Sequence, residues 1–562
     1  VALAAATGAV TGFGVNFAAR AAQQKISQDD LLLFPSKGQV TLLHSTDWHA
    51  QLLPVHFREP SINIGVGDVA GKPPHLTGDA LLQHFNIKPD SLEAHVLTDR
   101  SFVALAREYG KIGGVDRIAT LVNAIRAERG DDKVLYLDGG DTLQGSYTSL
   151  KSGGGDMISV LNQLKADATT GHWEFTYGAE RVVEAFGTKD EAGEFKGDFL
   201  AGNVFDTEWE EPVFKSTKIF EKNGVKIAVV GQAFPYTPIA NPRWKIPAWS
   251  FGVRDETVQQ NVDAAREAGA EVVVCLSHNG FDVDRKLASR VRGIDVILVG
   301  HTHDIVPEAV KVGDTLLIST GSHGKCISRL DIEVKSGRMV DYSYRLIPVL
   351  ADAIAPDPDM QSLVSMIRAP HESMLKTELA TADSLLYRRG NFNGTFDDVI
   401  CEAMLEARDA EVCFSPGVRW GASILPGQAI TWDDVYNMTA ITYPNCYRIK
   451  MTGEQIKLVL EDVCDNLFNP DPYFQQGGDM VRVGGLAYTC RVDRKIGERI
   501  ADLTFRKSGD PIDPKREYVV AGWASVNEGT EGPPIWDVVG DYLKRKKTIQ
   551  VDPNNSIKVV RG

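Results

Sequence analysis

One pattern recurs along the chain from about residue 38 to about residue 350: a short apolar run, a turn rich in Gly, His and Asp, and then a more polar, often helical segment. The apolar runs are QVTLLHS, KVLYLDGG, FLAGNVF, VKIAVVGQ, EVVVCLSH, IDVILVGH and TLLISTGSHG. Runs of this kind are typical of buried strands, and strands that alternate with helices pack in layers. This part of the chain is therefore predicted to fold as an α/β sandwich.

The length of 562 residues is too great for one hydrophobic core, so we expect several domains. We place the first at residues 36–350, followed by a connecting helix at 351–375, where a Pro/Asp-rich start precedes helical apolar spacing. Residues 376–562 combine helix-like pieces with short strands and are predicted to form a second α/β domain. Residues 57–110 form a long insertion, for which a substrate lid and a plain surface excursion are both open.

Residues 1–35 begin with a small, apolar stretch that carries no charge before Arg20. The triplet around Arg20, Ala-Arg-Ala, is like a signal-peptidase site. We interpret this stretch as a signal-peptide remnant followed by an N-terminal extension, which predicts an exported, periplasmic protein; a helix or strand that packs on the domain is the alternative. No other apolar run reaches the roughly 18 residues that span a bilayer, so no membrane association is expected.

The net charge of −15 argues against nucleic acid or an anionic membrane as a partner, because an acidic surface repels both. An anionic substrate would therefore need a local positive site on this protein.

Seven cysteines are scattered without CxxC spacing, which excludes a zinc ribbon and a dense disulfide framework. An oxidising compartment would allow one or two disulfides, but the sequence does not choose the pairs.

Potential metal ligands stand in five turns that follow predicted strands. They are Asp47 and His49 in STDWHAQ, Asp141 in DGGDTLQG, His172 in TGHWEF, His278 in LSHNG, and His301 with His303 in VGHTHD. Ligand sites in layered α/β folds gather beyond the carboxyl ends of strands, so distant turns can converge there. A lone His would more often be structural, but imidazoles and carboxylates at successive strand ends form a ligand set for Mn, Fe, Co or Zn. The joint pattern predicts a metal centre.

The motifs DWH, GGDTLQG, SHNG and GHTH resemble those of the dinuclear metallophosphoesterases, and specifically of the two-domain 5′-nucleotidase family. The segment SPGVRWGASILPGQAITWDDVYNMTAITYPNCYRIKMTGEQI resembles the second domain of that family. The resemblance implies an N-terminal four-layer α/β-β/α metallophosphoesterase sandwich and a C-terminal 5′-nucleotidase-type α/β domain that recognises substrate.

The resemblance also implies a role for each ligand. One metal ion would be held by Asp47, His49 and His303, the other by His278 and His301, and Asp141 would bridge both. The family's last ligand is an Asn, and that position is taken by His172, whose imidazole can replace an amide oxygen. Two manganese ions are the implied cofactor, although other first-row divalent metals suit the same ligands.

The chain departs from the nucleotidase pattern in the turn that contains His172. Nucleotidases carry a His–Asp dyad there that assists transfer at phosphate, and those positions are Trp173 and Thr176 in this chain. Neither side chain can act as that acid and base, so the dyad is absent. A plain packing role for Trp173 is the alternative to a catalytic one.

The second domain departs as well. In the family, two aromatic residues clamp the base of the nucleotide. Ser525 stands at the position of one of them, and Tyr443 could provide the other face. Trp523 could be a shifted replacement for the aromatic residue that Ser525 replaces. The family's anion-binding arginine is retained as Arg419. Arg388 and Arg389 are further candidate contacts to an oxyanion, because a guanidinium presents paired donors; a salt-bridged role is equally open for each.

Intact metal motifs without the dyad indicate a hydrolase for a tetrahedral oxyanion ester that is not a nucleotide. The GHWEFTYG turn and the insertion resemble the thiosulfohydrolases (sulfate thiol esterases) of the bacterial sulfur-oxidation (Sox) system. This resemblance implies a periplasmic enzyme in which a hydroxide activated by two manganese ions releases sulfate from a cysteine S-thiosulfonate on the C-terminal arm of the SoxYZ carrier. Asp141, His172, Trp173 and Arg419 would form the catalytic site, and Arg388, Arg389, Arg419 and Tyr443 would contact substrate.

The leaving group accounts for the missing dyad in this hypothesis. A phosphate ester expels a poor alkoxide, whereas cleavage at the sulfonate sulfur expels a stabilised persulfide anion that needs less help from an acid. Two alternatives stay open: a periplasmic 5′-nucleotidase or cyclic-nucleotide phosphodiesterase with an unusual turn, and an inactive binding module that keeps its metals for structure.

Overall fold

The structure is a computed structural model that describes residues 26–561. The predicted signal-peptidase site around Arg20 lies outside the described residues. Within them, no helix is both long enough and apolar enough to cross a membrane.

The strands of the first part of the chain form two large sheets and one small one. Their bounds are β1 (Val40–Ser45), β2 (Val134–Asp138), β3 (Ala168–Thr169), β4 (Asp198–Phe199), β5 (Phe205–Asp206), β6 (Thr217–Lys222), β7 (Val225–Gln232), β8 (Trp249–Ser250), β9 (Val272–Ser277), β10 (Val296–Val299), β11 (Val310–Val312), β12 (Thr315–Ser319), β13 (Cys326–Lys335) and β14 (Arg338–Pro348).

The helices of this part either pack on the outer faces of the sheets or belong to the insertion. Their bounds are α1 (Gln28–Leu32), α2 (Gly78–His84), α3 (Leu92–Leu97), α4 (Phe102–Tyr109), α5 (Val115–Arg129), α6 (Tyr147–Ser152), α7 (Gly155–Leu164), α8 (Ala179–Phe186), α9 (Thr237–Ala240), α10 (Asp255–Glu267) and α11 (Phe281–Arg290). Of these, α2, α3 and α4 belong to the insertion.

The two large sheets stack on each other. One has the strand order β14-β13-β1-β2-β3-β4 and the other β11-β12-β10-β9-β7-β6. Side chains alternate between the faces of a strand: Leu42 of β1 and Val229 of β7 lie in the hydrophobic cluster between the sheets, whereas Leu43 and Val230 lie in the cluster that includes the helices. The predicted four-layer α/β-β/α sandwich is confirmed.

The run FLAGNVF is not the single strand that its composition predicts. β4 ends at Phe199 and β5 begins at Phe205 in the separate small sheet. Between them, the buried Asn203 amide donates to the carbonyl oxygens of Ala233 at 2.7 Å and Gly252 at 2.9 Å. These bonds anchor the segment between β4 and β5 to the residues that follow β7 and β8.

The predicted connecting helix is two helices, α12 (Pro358–Arg368) and α13 (Glu372–Leu375). Pro370 lies between them and has no backbone N–H to donate, so the hydrogen-bond ladder of α12 cannot continue through it.

The rest of the chain is the predicted second α/β region. Its strands are β15 (Glu378–Ala382), β16 (Val412–Ser415), β17 (Ala429–Thr431), β18 (Tyr447–Thr452), β19 (Arg482–Gly484), β20 (Leu486–Arg491), β21 (Ile500–Phe505), β22 (Glu517–Gly522), β23 (Thr548–Ile549) and β24 (Ile557–Val560), and its helices are α14 (Thr395–Arg408), α15 (Trp432–Thr439), α16 (Gly453–Phe468) and α17 (Ile535–Lys546). The strands form sheets of the order β17-β15-β23, β18-β22-β16-β19 and β21-β20-β24.

The insertion, residues 57–110, joins the two parts of the chain. Phe57 packs in the core of the first part, whereas Ile64 and Val66 pack in a cluster with β19, β20 and α16. The backbone N–H of Arg58 donates to Ser423 Oγ at 3.0 Å. The insertion is therefore packed between the two parts and is not a loose surface excursion.

Candidate metal centre and cavity

The five ligand-bearing turns meet at one edge of the sandwich, because each follows the carboxyl end of a strand. Asp47 and His49 follow β1, Asp141 follows β2, His172 follows β3, His278 follows β9, and His301 and His303 follow β10. Together they form two buried clusters, Asp141–His172–His278–His301 and Asp47–His49–Asp141–His303. Within each cluster, the possible ligand atoms all lie within 4.8 Å of one another. These are the same two groups that the resemblance implies.

Asp141 belongs to both clusters. Its Oδ2 atom lies 3.1 Å from His278 Nε2 and 3.3 Å from His172 Nδ1 in the first cluster. In the second, His303 Nε2 lies 3.2 Å from Asp47 Oδ1 and 2.9 Å from His49 Nε2. Asp141 is the one residue that the two clusters share.

Most residues of the two clusters have a left-handed backbone, which is rare for residues other than glycine. The φ angles are 53° at Asp47, 48° at His49, 56° at Asp141, 76° at His301 and 55° at His303. Such a conformation costs about 1–3 kcal/mol per residue and persists only where the surroundings impose it, commonly at functional sites. Here the backbone N–H of His49 donates to the carbonyl oxygen of Asp141 at 2.8 Å, which locks one turn against the next.

Hydrogen bonds to the outer ring nitrogens orient two of the imidazoles. His278 Nδ1 contacts the carbonyl oxygen of Gly139 at 2.6 Å, and His49 Nδ1 contacts that of Gln144 at 3.2 Å. A carbonyl partner requires the proton on Nδ1, so Nε2 of each ring is the nitrogen that faces the cluster and is available to a metal ion. This is the outer-shell arrangement that metal-binding histidines commonly have.

Glu174 is a residue of the site that our sequence analysis did not single out. Its carboxylate accepts from the backbone N–H of His172 and of Thr142, each at 2.7 Å, and from that of Leu143 at 3.2 Å. Glu174 therefore ties the turn that carries His172 to the turn that carries Asp141. The signal was available, because Glu174 stands two residues after the candidate ligand His172 in the TGHWEF turn.

The donor set fits a pair of divalent metal ions. His172 Nε2 and His301 Nδ1 are buried and have no hydrogen-bond partner among the described residues. Burial lowers the pKa of His49 to about 4, so that imidazole is neutral and can act as a ligand. Burial also lowers the pKa of His278, but the charges of Asp141 and Asp47 raise it to about 10. These carboxylates therefore favour a cation at His278 Nε2, and a bound metal ion would take the place of that proton.

A cavity of about 230 Å³ opens beside the clusters. Its wall includes Trp173 and Trp420, whose rings meet edge to face with centroids 5.0 Å apart. Gly477 also lines it: a Cβ atom at that position would lie 2.2 Å from His301 Nε2, so only glycine allows this close approach. Further lining residues are Phe234, Tyr236, Ile239 and Gly478.

Arg419 lines this cavity, whereas Arg389 lies beside a smaller neighbouring one of about 60 Å³. Arg419 Nη1 donates to the carbonyl oxygen of His301 at 2.9 Å, and Nη2 donates to that of Gly478. Arg389 Nη2 donates to the carbonyl oxygens of Thr302 and His303, each at 3.3 Å. Both guanidinium groups brace the backbone around the metal centre and bring positive charge to it.

The structure does not bring Arg388 to either cavity. Its side chain is fully buried and donates to Asp397 Oδ1 and to the carbonyl oxygen of Met438, each at 2.7 Å. Tyr443 is not among the described residues that line either cavity. Its hydroxyl donates to the carbonyl oxygen of Ala240, a residue of the wall of the larger one, at 2.9 Å.

Trp523 and Ser525 line a separate cavity of about 940 Å³. The described residues that line it include none of the seven residues of the metal clusters. Trp523 is buried, and its Nε1 donates to Ser415 Oγ at 2.8 Å. The shifted base clamp that the sequence suggested therefore does not face the metal centre in this structure.

The second position of the missing dyad, Thr176, carries a contact between the two parts of the chain. Its Oγ1 atom lies 2.7 Å from Thr442 Oγ1. Lys245 Nζ donates to the carbonyl oxygen of Thr176 at 2.7 Å and to Thr442 Oγ1 at 2.6 Å, and burial lowers the pKa of this lysine to about 8. No sequence motif points to Lys245.

Comparison with known proteins agrees with this architecture. The family described as 5′-nucleotidase, C-terminal domain, matches residues 378–539. The chain is 24% identical to human 5′-nucleotidase over 498 residues, which are 79% of this chain and 82% of the human protein.

Two solved structures from Thermus thermophilus superpose on nearly the whole chain. A 5′-nucleotidase precursor has 20% identity and a TM-score of 0.71, with 93% of this chain and 99% of the other covered, and at that identity shows the fold alone. The sulfate thiohydrolase SoxB, solved with glycerol, has 38% identity and a TM-score of 0.90, with 94% of this chain and 98% of SoxB covered.

Proposed function

The chain belongs to the family of SoxB and the 5′-nucleotidases and is a hydrolase, and from this premise we propose that it releases sulfate from a protein-bound cysteine S-thiosulfonate. The observation that carries the proposal is the likeness to the sulfate thiohydrolase SoxB along 94% of the chain. The turn at Trp173 and Thr176 supports it, because that turn lacks the dyad that nucleotidases use at phosphate.

Two manganese ions are the proposed cofactor, and the seven residues of the two clusters would hold them, with Asp141 shared. When bound, such a pair supplies a nucleophile at neutral pH and neutralises the charge that develops on the group under attack. The buried imidazoles and carboxylates of this site are suited to that ligand role.

The proposed reaction adds water to R–S–S–SO₃⁻ and yields R–S–SH and HSO₄⁻. The oxygen of water joins the sulfonate sulfur, the bond between that sulfur and the sulfane sulfur breaks, and the electron pair stays on the persulfide. Because the persulfide anion is a stabilised leaving group, no side chain has to protonate it early. Trp173 and Trp420, as apolar walls without an acidic proton, are compatible with this step.

The substrate contacts assigned to this chain are proposals as well. Arg419 would hold the sulfonate end, since its guanidinium lies in the cavity wall beside His301. Arg389 would add positive charge near the site, since its guanidinium donates to the carbonyl oxygen of His303. Tyr443 and Arg388 bind other parts of the protein in this structure and would act on substrate only after a rearrangement.

The proposed partner is the SoxYZ carrier, whose C-terminal cysteine arm would enter the cavity beside Gly477 and Trp173. An arm of small residues would suit a cavity of about 230 Å³. A nucleotide there would lack the roughly 1–3 kcal/mol of base stacking that the ring of Trp523 could provide, because Trp523 lines a different cavity and Ser525 has no ring. We also propose that the protein is periplasmic. Its proposed division is a metallophosphoesterase-like domain at 36–350, a linker at 351–375 and a substrate-recognition domain at 376–562.

The test offers the manganese-loaded enzyme a thiosulfonated cysteine peptide, AMP and a cyclic nucleotide in parallel, and follows sulfate and phosphate release. Sulfate release from the peptide with negligible phosphate release is the expected result. A His278→Ala variant is the control, because loss of this central residue should abolish sulfate release if the site is responsible. Efficient hydrolysis of AMP without sulfate release would restore the nucleotidase alternative, and no turnover of any substrate by a metal-loaded enzyme would favour the binding module.

A further inference from the structure

Two cysteines of the C-terminal part lie in contact. Cys464 is near the end of α16 and Cys490 is in β20, and their Sγ atoms are 3.4 Å apart. Both side chains are fully buried in one hydrophobic cluster with Leu460 and Tyr488. A disulfide has an S–S distance of about 2.05 Å, so a movement of about 1.3 Å would bring the two sulfurs to bonding distance.

We propose that Cys464 and Cys490 form a disulfide in the mature protein. Two thiols lose two protons and two electrons when the S–S bond forms, and a disulfide of a small molecule or of a thiol oxidase accepts them and is reduced to two thiols. The other five of the seven cysteines would then stay thiols or pair among themselves. The bond would not depend on the hydrolytic reaction proposed above.

The bond would close a loop that reaches the metal centre. Residues 465–489 lie between the two cysteines, and this segment includes Gln476, Gly477 and Gly478 in the wall of the cavity. The carbonyl oxygen of Gln476 contacts His301 Nε2 at 3.2 Å. Asn466, two residues after Cys464, also lines the cavity. A covalent link between α16 and β20 would therefore hold both ends of a segment that closes one side of the site.

The same region already shows strong local anchoring of α16. Glu461 is buried and accepts from the backbone N–H of Gly497 and of Ile500, each at 2.7 Å. Arg499 Nη1 pairs with Asp465 at 2.5 Å. These contacts tie α16 to the sheet that contains β20 and β21. The short distance between the two sulfurs therefore results from packed secondary structure on both sides.

Burial determines when the bond would form. The hydrogen bond with Cys490 and burial both raise the pKa of the Cys464 thiol, so the reactive thiolate is scarce once the protein has folded. We therefore place oxidation during folding, before the cluster closes. The finished bond would be shielded from reductants by the same packing.

The first experiment maps the bond in full-length protein secreted to an oxidising compartment and purified without reductant. The protein is unfolded in guanidinium with an alkylating agent, digested without reduction and analysed by mass spectrometry. A peptide pair linked through Cys464 and Cys490 is expected, and it should separate into two peptides after reduction. Full alkylation of both cysteines, or a link from either one to a different cysteine such as Cys401 or Cys413, would overturn the proposal.

The second experiment asks what the bond does. Cys464→Ser, Cys490→Ser and the double variant should lower the thermal midpoint by the same amount, since each removes the same bond, and should increase protease cleavage between residues 469 and 481. Cys275→Ser is the matched control, because it removes a buried thiol in β9 and should leave the Cys464–Cys490 link and cleavage of this segment unchanged. Additive effects of the two single variants, or unchanged cleavage in both, would contradict a disulfide that secures this segment.

Discussion

The carboxylate of Glu174 accepts a hydrogen bond from the backbone N–H of Thr142 at 2.7 Å. These two residues belong to turns that follow different strands, β3 and β2, and each turn carries a residue of the candidate metal centre. The bond fixes the turn of His172 relative to the turn of Asp141, although neither Glu174 nor Thr142 belongs to the clusters. Support of this kind is the outer-shell feature that keeps metal ligands in register.

We expect Glu174→Gln to weaken manganese binding by about 10-fold to 100-fold, because an amide can replace only part of the bonding of a buried carboxylate to four backbone N–H groups. Competition with a metal-sensitive chelator measures the affinity. Glu180→Gln, at an exposed position of α8, is the control and should bind manganese as the wild type does. Unchanged affinity in Glu174→Gln would remove this residue from the support of the site.

Replacement of His172 by Ala should lower the metal content from two ions per chain toward one and abolish turnover, since His172 belongs to only one of the two clusters. Elemental analysis of the purified variant gives the content. His84→Ala changes an exposed histidine of α2 and should keep both ions. If His172→Ala also keeps two ions, the implied replacement of the family's Asn by this histidine is wrong.

Arg419→Ala should reduce kcat/KM for the thiosulfonated peptide by about 10-fold to 100-fold, the range that corresponds to roughly 1.5–3 kcal/mol for a hydrogen bond to a charged group. Metal content should stay the same, because Arg419 contacts the carbonyl oxygen of His301 and not its ring. Arg292→Ala, at an exposed site, is the control for loss of one positive charge. A kcat/KM equal to that of the wild type would exclude Arg419 from substrate binding.

The docking of the insertion should depend on pH through His75, whose Nε2 lies 2.8 Å from Asp282 Oδ2. Burial lowers the pKa of His75, but the hydrogen bond and charge of Asp282, with a contribution from Asp304, raise it overall above its ordinary value, and Arg285 opposes them. A group with a raised pKa in the folded state contributes stability that is complete below its unfolded pKa of about 6.5 and is lost as pH rises through the folded value.

Hydrogen exchange of residues 67–77 measures this effect when the wild type and His75→Gln are compared at about pH 6 and about pH 8. The wild type should be better protected than the variant at the lower pH, and the difference should shrink at the higher pH. His84→Gln should match the wild type at both, because His84 is exposed. A difference between wild type and His75→Gln that is the same at both values would exclude the ion pair with Asp282 as its source.

Much of the candidate centre followed from local sequence patterns. Each ligand turn directly follows a strand, as with His278 after β9 or Asp141 shortly after β2, and parallel strands bring their carboxyl ends to one edge. Convergence of these turns was therefore predictable without knowledge of the loops between them. The ligand roles themselves stay predictions that the metal analyses above would test.

The sequence by itself determined the layered α/β fold and the set of residues that meet at the candidate metal centre, because both depend on short patterns repeated at strand ends. Only the tertiary structure decided which of the neighbouring arginines Arg388 and Arg389 comes near the candidate metal centre. The sequence left a salt-bridged role and a role in the site equally open for both. Arg388 is buried against Asp397. Arg389 instead donates to the carbonyl oxygen of His303, in the other part of the chain. That contact depends on how the two parts of the chain pack together, and long-range packing of this kind leaves no local pattern from which it could be predicted.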